Sequence, residues 1–377
     1  MKILNVVGAR PNFVKIAPIL RQMNHYSTMQ WQLVHTGQHY DDRMSQVFFD
    51  DLQLPAPDVF LGIGSGSHAD QTGRAMMALE GVMQDYQPDL VVVVGDVNST
   101  LAGALAASKL HIPIAHVEAG LRSWDRTMPE EINRICTDAI SDLFFTTSAI
   151  ATDNLLREGI APEAIHFVGN VMIDSLKANL ERARHQSTLL ETYPVQPQQY
   201  GLVTLHRPGN VDDPVMLGRL LEAIATVSER VPLLFPMHPR TQQRLETFGL
   251  QARLDSLDQV WVTPPLGYLD FICALSSAQF TLMDSSGVQE ETTALGIPCL
   301  TMRDNTDRPE TVIEGTNTLV GQDPDRIIQE VFQILEGQGK TGRVPDLWDG
   351  NTAERIVDIL AVWGAALPTT PPCPTVV

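Results

Sequence analysis

The sequence predicts an α/β protein built from two doubly wound domains. Three observations carry that expectation. The chain has 377 residues, beyond the ~250–300 at which a single hydrophobic core stops growing. Short apolar runs rich in β-branched residues alternate with longer helical patterns, the signature of βαβ units and a mainly parallel sheet. The rhythm also occurs twice, with six candidate strands in residues 1–172 and six more in 173–350.

In chain order the first six strands are ILNVV (3–7), WQLVH (31–35), LVVVV (90–94), IPIAHV (112–117), DLFFTT (142–147) and IHFVG (165–169). The second six are YGLVTLH (200–206), PLLFPMH (232–238), VWVT (260–263), FTLMD (280–284), PCLTM (298–302) and NTLVG (317–321). Residues 170–199 read as a helix followed by the connector TYPVQPQQ, which sets a first domain at 1–172 and a second at 173–350. A last amphipathic helix is expected within 351–364, and the Pro/Thr-rich residues that follow, to 377, are expected to be disordered.

Composition narrows the function. A formal net charge of −19 opposes a nucleic-acid backbone as partner, though an anionic small molecule remains compatible with locally gathered cations. The apolar run in MKILNVVGARPN is too short for a signal peptide, and no run approaches the roughly 18 residues of a membrane span, so a soluble cytoplasmic protein with no membrane partner is expected. Cys136, Cys273, Cys299 and Cys373 lie far apart without metal-binding spacing, which predicts reduced thiols and no metal site.

In doubly wound sheets, ligands bind beyond the carboxyl ends of the strands, so the residues after each strand carry the functional signal. GARPNFVK follows the first strand: Gly8 permits a tight turn, Pro11 suits a helix start, and Arg10 and Lys15 add charge to an anion-attracting helix N-terminus. GDVNST puts Asp96 at a strand end, ahead of Asn98 or Ser99 as the helix cap. HVEAGLRSWDRTMPEEINR follows the fourth strand: Glu118 lies just past the strand, and Pro129 opens a helix with Glu130 and Glu131 in its first turn. Acidic residues complement a helix dipole there, which is the simpler account of Glu131. Arg122, Arg134 and Glu131 are expected to orient the carboxylates or pack the interface, and Asp125 and Arg126 to be surface.

In the second half, His206 and His238 stand at strand ends, the latter in a weaker context. DSSGVQEETTALG reads as a helix start with a capping box from Ser286 to Gln289, and Ser285, Ser286 and Gly287 form a cradle for a diphosphate. Glu290 and Glu291 ride about one and a half turns further, within reach of a ribose diol. RDNTDRPE adds Arg303, Arg308 and Glu310. GSGSHA (64–69) matches the permissive dinucleotide pattern but does not lie in the first βα turn, so no NAD site and no cofactor is expected.

Taken together, GARPNFVK, TGQHYD (36–41), GDVNST, HVEAGLRSWDRTMPEEINR, LHRPGN, DSSGVQEE and RDNTDRPE resemble the non-hydrolysing UDP-N-acetylglucosamine 2-epimerases, in order from residue 1 to about 364. The resemblance implies a GT-B fold, with two Rossmann-like domains around an active-site cleft, the last helix packing back on the first domain, and a homodimer. It implies interconversion of UDP-GlcNAc and UDP-ManNAc by elimination of UDP to 2-acetamidoglucal and re-addition, supplying ManNAc-type sugars for surface polysaccharide. By the same resemblance Asp96, Glu118 and Glu130 match catalytic carboxylates and His206 the catalytic histidine. Arg10, Lys15, Ser285, Ser286, Gly287, Glu291 and Arg308 match substrate-binding positions.

Three features depart from the family pattern. Asn12 stands where members commonly have Glu or Gln, and Ser286 replaces a usual Gly. GQHYDDRMSQ does not align cleanly with the glutamine pair of the activator site found in some members, although Arg74 matches a basic residue of that site. Alternatives within the same residue set are epimerisation of a modified sugar such as UDP-2,3-diacetamido-glucuronate and, from another class, a non-catalytic UDP-sugar-binding regulator. A GT-B glycosyltransferase would have no use for three carboxylates about C2.

Overall fold

The computed structural model describes residues 1–38 and 42–366, the side chains of 42–46 excepted. The end of the TGQHYD stretch and the Pro/Thr-rich tail from 367, with Cys373, lie outside the described residues.

Two wholly parallel sheets form. The first contains β1 (Lys2–Val7), β2 (Gln30–His35), β3 (Val59–Phe60), β4 (Leu90–Val94), β5 (Ile114–Ala119), β6 (Leu143–Thr146) and β7 (Ile165–Phe167). The second contains β8 (Gly201–Thr204), β9 (Leu233–Pro236), β10 (Val260–Thr263), β11 (Phe280–Met283), β12 (Cys299–Thr301) and β13 (Asn317–Leu319). Their orders are β3-β2-β1-β4-β5-β6-β7 and β10-β9-β8-β11-β12-β13, the same winding twice. The LVVVV run of β4 is buried at every position because helices cover both faces of the sheet, which explains why it does not alternate with polar residues. The two-residue β3, preceded by Pro55 and Pro57 and held only to Val34 and His35, is the strand that the apolar pattern was too short to reveal.

On one face of the first sheet the helices Arg10–Met23, Val171–Gln186 and Thr352–Ala366 share a core that includes Phe13, Ile16, Ile173, Leu176, Ile356 and Leu360. The final helix thus packs on the first sheet although it follows the second, and it runs two residues past the expected end at 364. Its start is fixed by Asp174, whose carboxylate accepts the backbone N–H groups of Thr352 at 3.2 Å and Ala353 at 2.7 Å. Burial pushes Asp174 up from the usual carboxylate value, and those N–H groups pull back against it. The helix Tyr268–Ser276, which belongs to the second sheet, packs on Val171–Gln186 through Leu269 and Ile272, so the two halves share apolar contact away from the strand ends.

Candidate active site

Each sheet has a switch point beside its first strand, between β1 and β4 and between β8 and β11. Crevices at such points are where open α/β sheets take ligands. The loops leaving these four strands carry GARPN, GDVNST, HRPGN and DSSG.

The N-terminal half centres on Glu118. Its backbone is left-handed, with φ of 73°, at a bulge between Val117 and Ala119 where pairing with β6 shifts. A non-glycine residue held there costs energy, and a bulge re-aims the side chain out of the pleat. That side chain ion-pairs with Lys15 from the helix Arg10–Met23 and with Arg308 from the loop after β12. Arg308 also binds Glu290 and Asp307, each at 2.6 Å. One guanidinium therefore joins a carboxylate of the first half to two of the second, a geometry that its planar fork of donors allows.

Asp96 follows β4 and pairs with Arg134 at 2.5 Å, its side chain 21% exposed. Burial alone would raise its pKa, but Arg134 and Lys15 hold it below the usual carboxylate range. Arg134 also meets Glu131 at 2.6 Å and Asp307 at 3.3 Å, a second crossing between the halves. Glu131 is more than a partner of the helix dipole. Fully buried, it accepts the N–H groups of Ser123 at 3.0 Å and Trp124 at 2.9 Å, so it fixes the loop between Glu118 and Glu130. Glu130 is 35% exposed and lies 3.8 Å from Arg207. Asp125, expected at the surface, accepts from Asn305 across the cleft at 3.4 Å.

In the C-terminal half His206 is 33% exposed, and its Nδ1 lies 2.8 Å from Asp284. Asp284 is fully buried, and it also accepts the backbone N–H of His206 at 2.9 Å, that of Arg207 at 2.8 Å and the Asn210 amide at 3.0 Å. Burial would raise Asp284, but His206 and these donors pull it down to about 2. The His238 ring stacks obliquely 5.2 Å from that of His206, and burial with the neighbouring charge of His206 pushes it down to about 4. Arg10 adds to that effect and lies over the Phe48 ring at 5.8 Å.

The expected Ser286–Gln289 capping box does not form. Ser285 is the cap position, without a side-chain cap bond, and Gln289 instead donates to the Ser285 carbonyl at 3.1 Å. The Ser286 hydroxyl is occupied elsewhere: it donates to Asp307 at 2.9 Å and accepts from Arg303 at 2.9 Å and Arg207 at 3.2 Å. Asn98 and Ser99 likewise sit inside their helix, after Val97 at the cap. A Cβ at Gly287 would meet only Met172, at 3.5 Å, so packing does not demand glycine there. Glu291 is buried against Tyr268, whose hydroxyl donates to it at 3.3 Å, and burial pushes it up to about 7. Arg74 pairs with Asp70 of its own helix at 2.5 Å and donates to the carbonyls of Ile63 and Ser65 in the preceding loop.

Residues 21–361 match the family model described as UDP-N-acetylglucosamine 2-epimerase. A protein named UDP-N-acetylglucosamine 2-epimerase from Methanocaldococcus jannaschii is 44% identical over 364 residues, 96% of this chain and 99% of that one. The chain belongs to the UDP-N-acetylglucosamine 2-epimerase family. Its members with that name are isomerases, and this chain is an enzyme of that class. The crystal structure of the M. jannaschii UDP-GlcNAc 2-epimerase in complex with UDP-GlcNAc and UDP superposes with a TM-score of 0.90 at 43% identity, covering 96% of this chain and 100% of that one. That of Neisseria meningitidis bound to UDP-GlcNAc gives 0.87 at 30% identity, covering 96% and 100%. The arrangement of the two sheets is accordingly of GT-B type. A UDP-2,3-diacetamido-2,3-dideoxy-D-glucuronate 2-epimerase from Pseudomonas aeruginosa is also 44% identical, over 368 residues, 96% of this chain and 99% of that one.

Against the residues that the family resemblance selected, the structure brings Lys15, Asp96, Glu118 and Arg308 into one ion-pair cluster. Glu130, Ser286 and His206 join it through Arg207, Asp307 and Asp284. Glu291 stands apart, packed on Tyr268. Arg207, Asp284 and Asp307 were not singled out from the sequence as parts of the site, and Glu290, expected near a ribose diol, is instead paired with Arg308. Asp284 had a signal, since it ends a strand as Asp96 does. Among the described residues no group of His, Cys, Asp or Glu is arranged to hold a metal, and no helix is long and apolar enough to cross a membrane.

Proposed function

We propose that this chain interconverts UDP-GlcNAc and UDP-ManNAc by C2 epimerisation. The observation that carries the reading is the opposition of Asp96, Glu118 and Glu130, from the first half, to His206, Ser286, Arg207, Arg303 and Arg308 from the second. The C2 hydrogen is not adjacent to a carbonyl, so its removal requires a leaving group at C1. One carboxylate takes the C2 proton, the C–H electrons form the C1–C2 double bond of 2-acetamidoglucal, and the C1–O electrons leave with UDP. A proton then returns to C2 on the other face and a UDP oxygen re-adds at C1, so the sequence is redox-neutral. Carboxylates serve the two proton transfers, while the guanidiniums, Lys15, Arg10 and His206 stabilise the departing diphosphate. The turn of Ser285, Ser286 and Gly287 receives the diphosphate at a helix N-terminus, and Glu291 the ribose.

A second reading keeps the chemistry and changes the sugar: the P. aeruginosa UDP-2,3-diacetamido-glucuronate epimerase is as similar in sequence as the M. jannaschii enzyme. The family resemblance adds a cytoplasmic homodimer that supplies ManNAc-type sugars for surface polysaccharide. Incubation with each nucleotide sugar in D2O, followed by proton NMR with Glu118→Gln as control, tests the reading. The expected result is UDP-ManNAc bearing deuterium at C2, absent with the variant. Exchange only with the diacetamido-uronate would move the assignment to the second sugar. UDP binding without exchange on either sugar would leave the regulator reading.

A further inference from the structure

We infer that His116 and Asp138 form a buried pair of positioning residues that sets the spacing of the three carboxylate-bearing segments. This deepens the proposed epimerase reading and rests on it for its kinetic consequences.

The His116 side chain, on β5, is 0% exposed and that of Asp138 1%. Nδ1 of the imidazole lies 2.7 Å from Asp138 Oδ1, and Nε2 lies 2.8 Å from the Gly95 carbonyl oxygen. A carbonyl only accepts, so Nε2 carries the proton of that bond and Nδ1 faces Asp138. The other Asp138 oxygen accepts the Gly120 N–H at 3.1 Å and the Arg122 guanidinium at 2.7 Å. Burial would raise Asp138, but His116 and Arg122 hold it below the usual carboxylate range.

The geometry explains what the pair does. Gly95 immediately precedes Asp96, and its backbone is left-handed, with φ of 69°. A Cβ there would fall 2.9 Å from Lys15 Nζ and 3.3 Å from Glu118 Oε2, so this peptide lies directly against the Lys15–Glu118 pair. Its N–H donates to Val117 at 3.0 Å while its carbonyl is held by His116. Asp138 grips Gly120, two residues beyond Glu118. The strained turn at Glu118 is thus tied on both sides, at His116 and Gly120, to one carboxylate. That carboxylate ends the helix Pro129–Asp138, which carries Glu130 in its first turn, and Asn133 of the same helix binds the Asp96 carbonyl at 2.9 Å. Neither His116 nor Asp138 contacts the cleft groups themselves. They fix where Asp96, Glu118 and Glu130 stand relative to one another.

The test pairs kinetics with a measurement on the wild-type protein. Asp138→Asn is expected to lower kcat by roughly 30- to 100-fold, the scale of a displacement of about 1 Å at reacting groups, with KM changed by less than about threefold. His116→Gln, whose amide still reaches the Gly95 carbonyl, is expected to retain about tenfold more kcat than His116→Ala at equal folded fraction. Glu158→Gln is the control: it removes the other partner of Arg122 and should leave kcat within about twofold. Folded Asp138→Asn with wild-type kcat, or equal rates in the two His116 variants, would overturn the proposal. In wild-type protein labelled with 15N-histidine, Nε2 of His116 should show a bonded, slowly exchanging proton. An unprotonated Nε2 would overturn the proposal even if every variant failed to fold. A wild type inactive on both sugars, with Nε2 protonated, would sink the epimerase reading and not the buried pair.

Discussion

Asp284→Asn probes the C-terminal half of the site from beneath. Four donors converge on this carboxylate: the backbone N–H groups of His206 and Arg207, the Asn210 amide and the His206 ring. Asparagine offers one acceptor oxygen and turns an NH2 group toward the remaining donors, so about half of the contacts are lost. Each bond to a charged acceptor contributes ~1.5–3 kcal/mol, which gives roughly 3–6 kcal/mol for two. The titration gives a second measure: a folded pKa of about 2 against 3.8 corresponds to about 2 kcal/mol. Taking ~3 kcal/mol, the melting temperature should fall by roughly 6–12 °C at pH 7. The folded pKa is depressed, so this stability is present above about pH 4 and lost as pH falls toward 2. The variant should therefore differ most from wild type at neutral pH and converge with it in acid. Because His206 loses its orienting partner, kcat/KM should drop on the order of 100-fold. Calorimetry across pH and the NMR assay check both. A melting temperature within about 2 °C of wild type at pH 7, with kcat/KM unchanged, would refute the account of Asp284 as the anchor of this loop.

Arg308→Lys replaces a fork that spans Glu118, Glu290 and Asp307 with a point charge. It should cost about 2–4 kcal/mol and lower kcat/KM at least tenfold by the assay above. Asp174→Ala removes the cap of the helix Thr352–Ala366. The cost should be ~1–2 kcal/mol, and hydrogen exchange should accelerate in that helix more than in β1. Burial pushes His35 down to about 4, so the unfolded chain binds a proton there before the folded one does. Stability should fall as pH drops from about 6.5 to about 4, by up to about 3 kcal/mol from this group. His35→Phe should flatten that slope in pH-dependent urea unfolding, since the ring is already packed among Phe13, Phe49 and Phe60.

The sequence by itself determined the two wound sheets, because a strand buried on both faces must be a continuous apolar run and the alternation with helices leaves few other topologies. LVVVV and FTLM are legible for that reason, whereas Val59–Phe60 is too short to carry a period. It also determined the loops that hold the chemistry, since strand ends can be counted. The tertiary structure alone decided who meets whom. Glu131 and Glu130 are neighbours of identical type, yet one is buried holding a loop and the other is partly exposed at Arg207, a difference set by helix rotation and by the opposing half. Arg308 reaches Glu118 across 190 positions, and Asp138 reaches His116 from another element. Ion pairs of that kind depend on distances in three dimensions and on burial, neither of which local sequence spacing encodes.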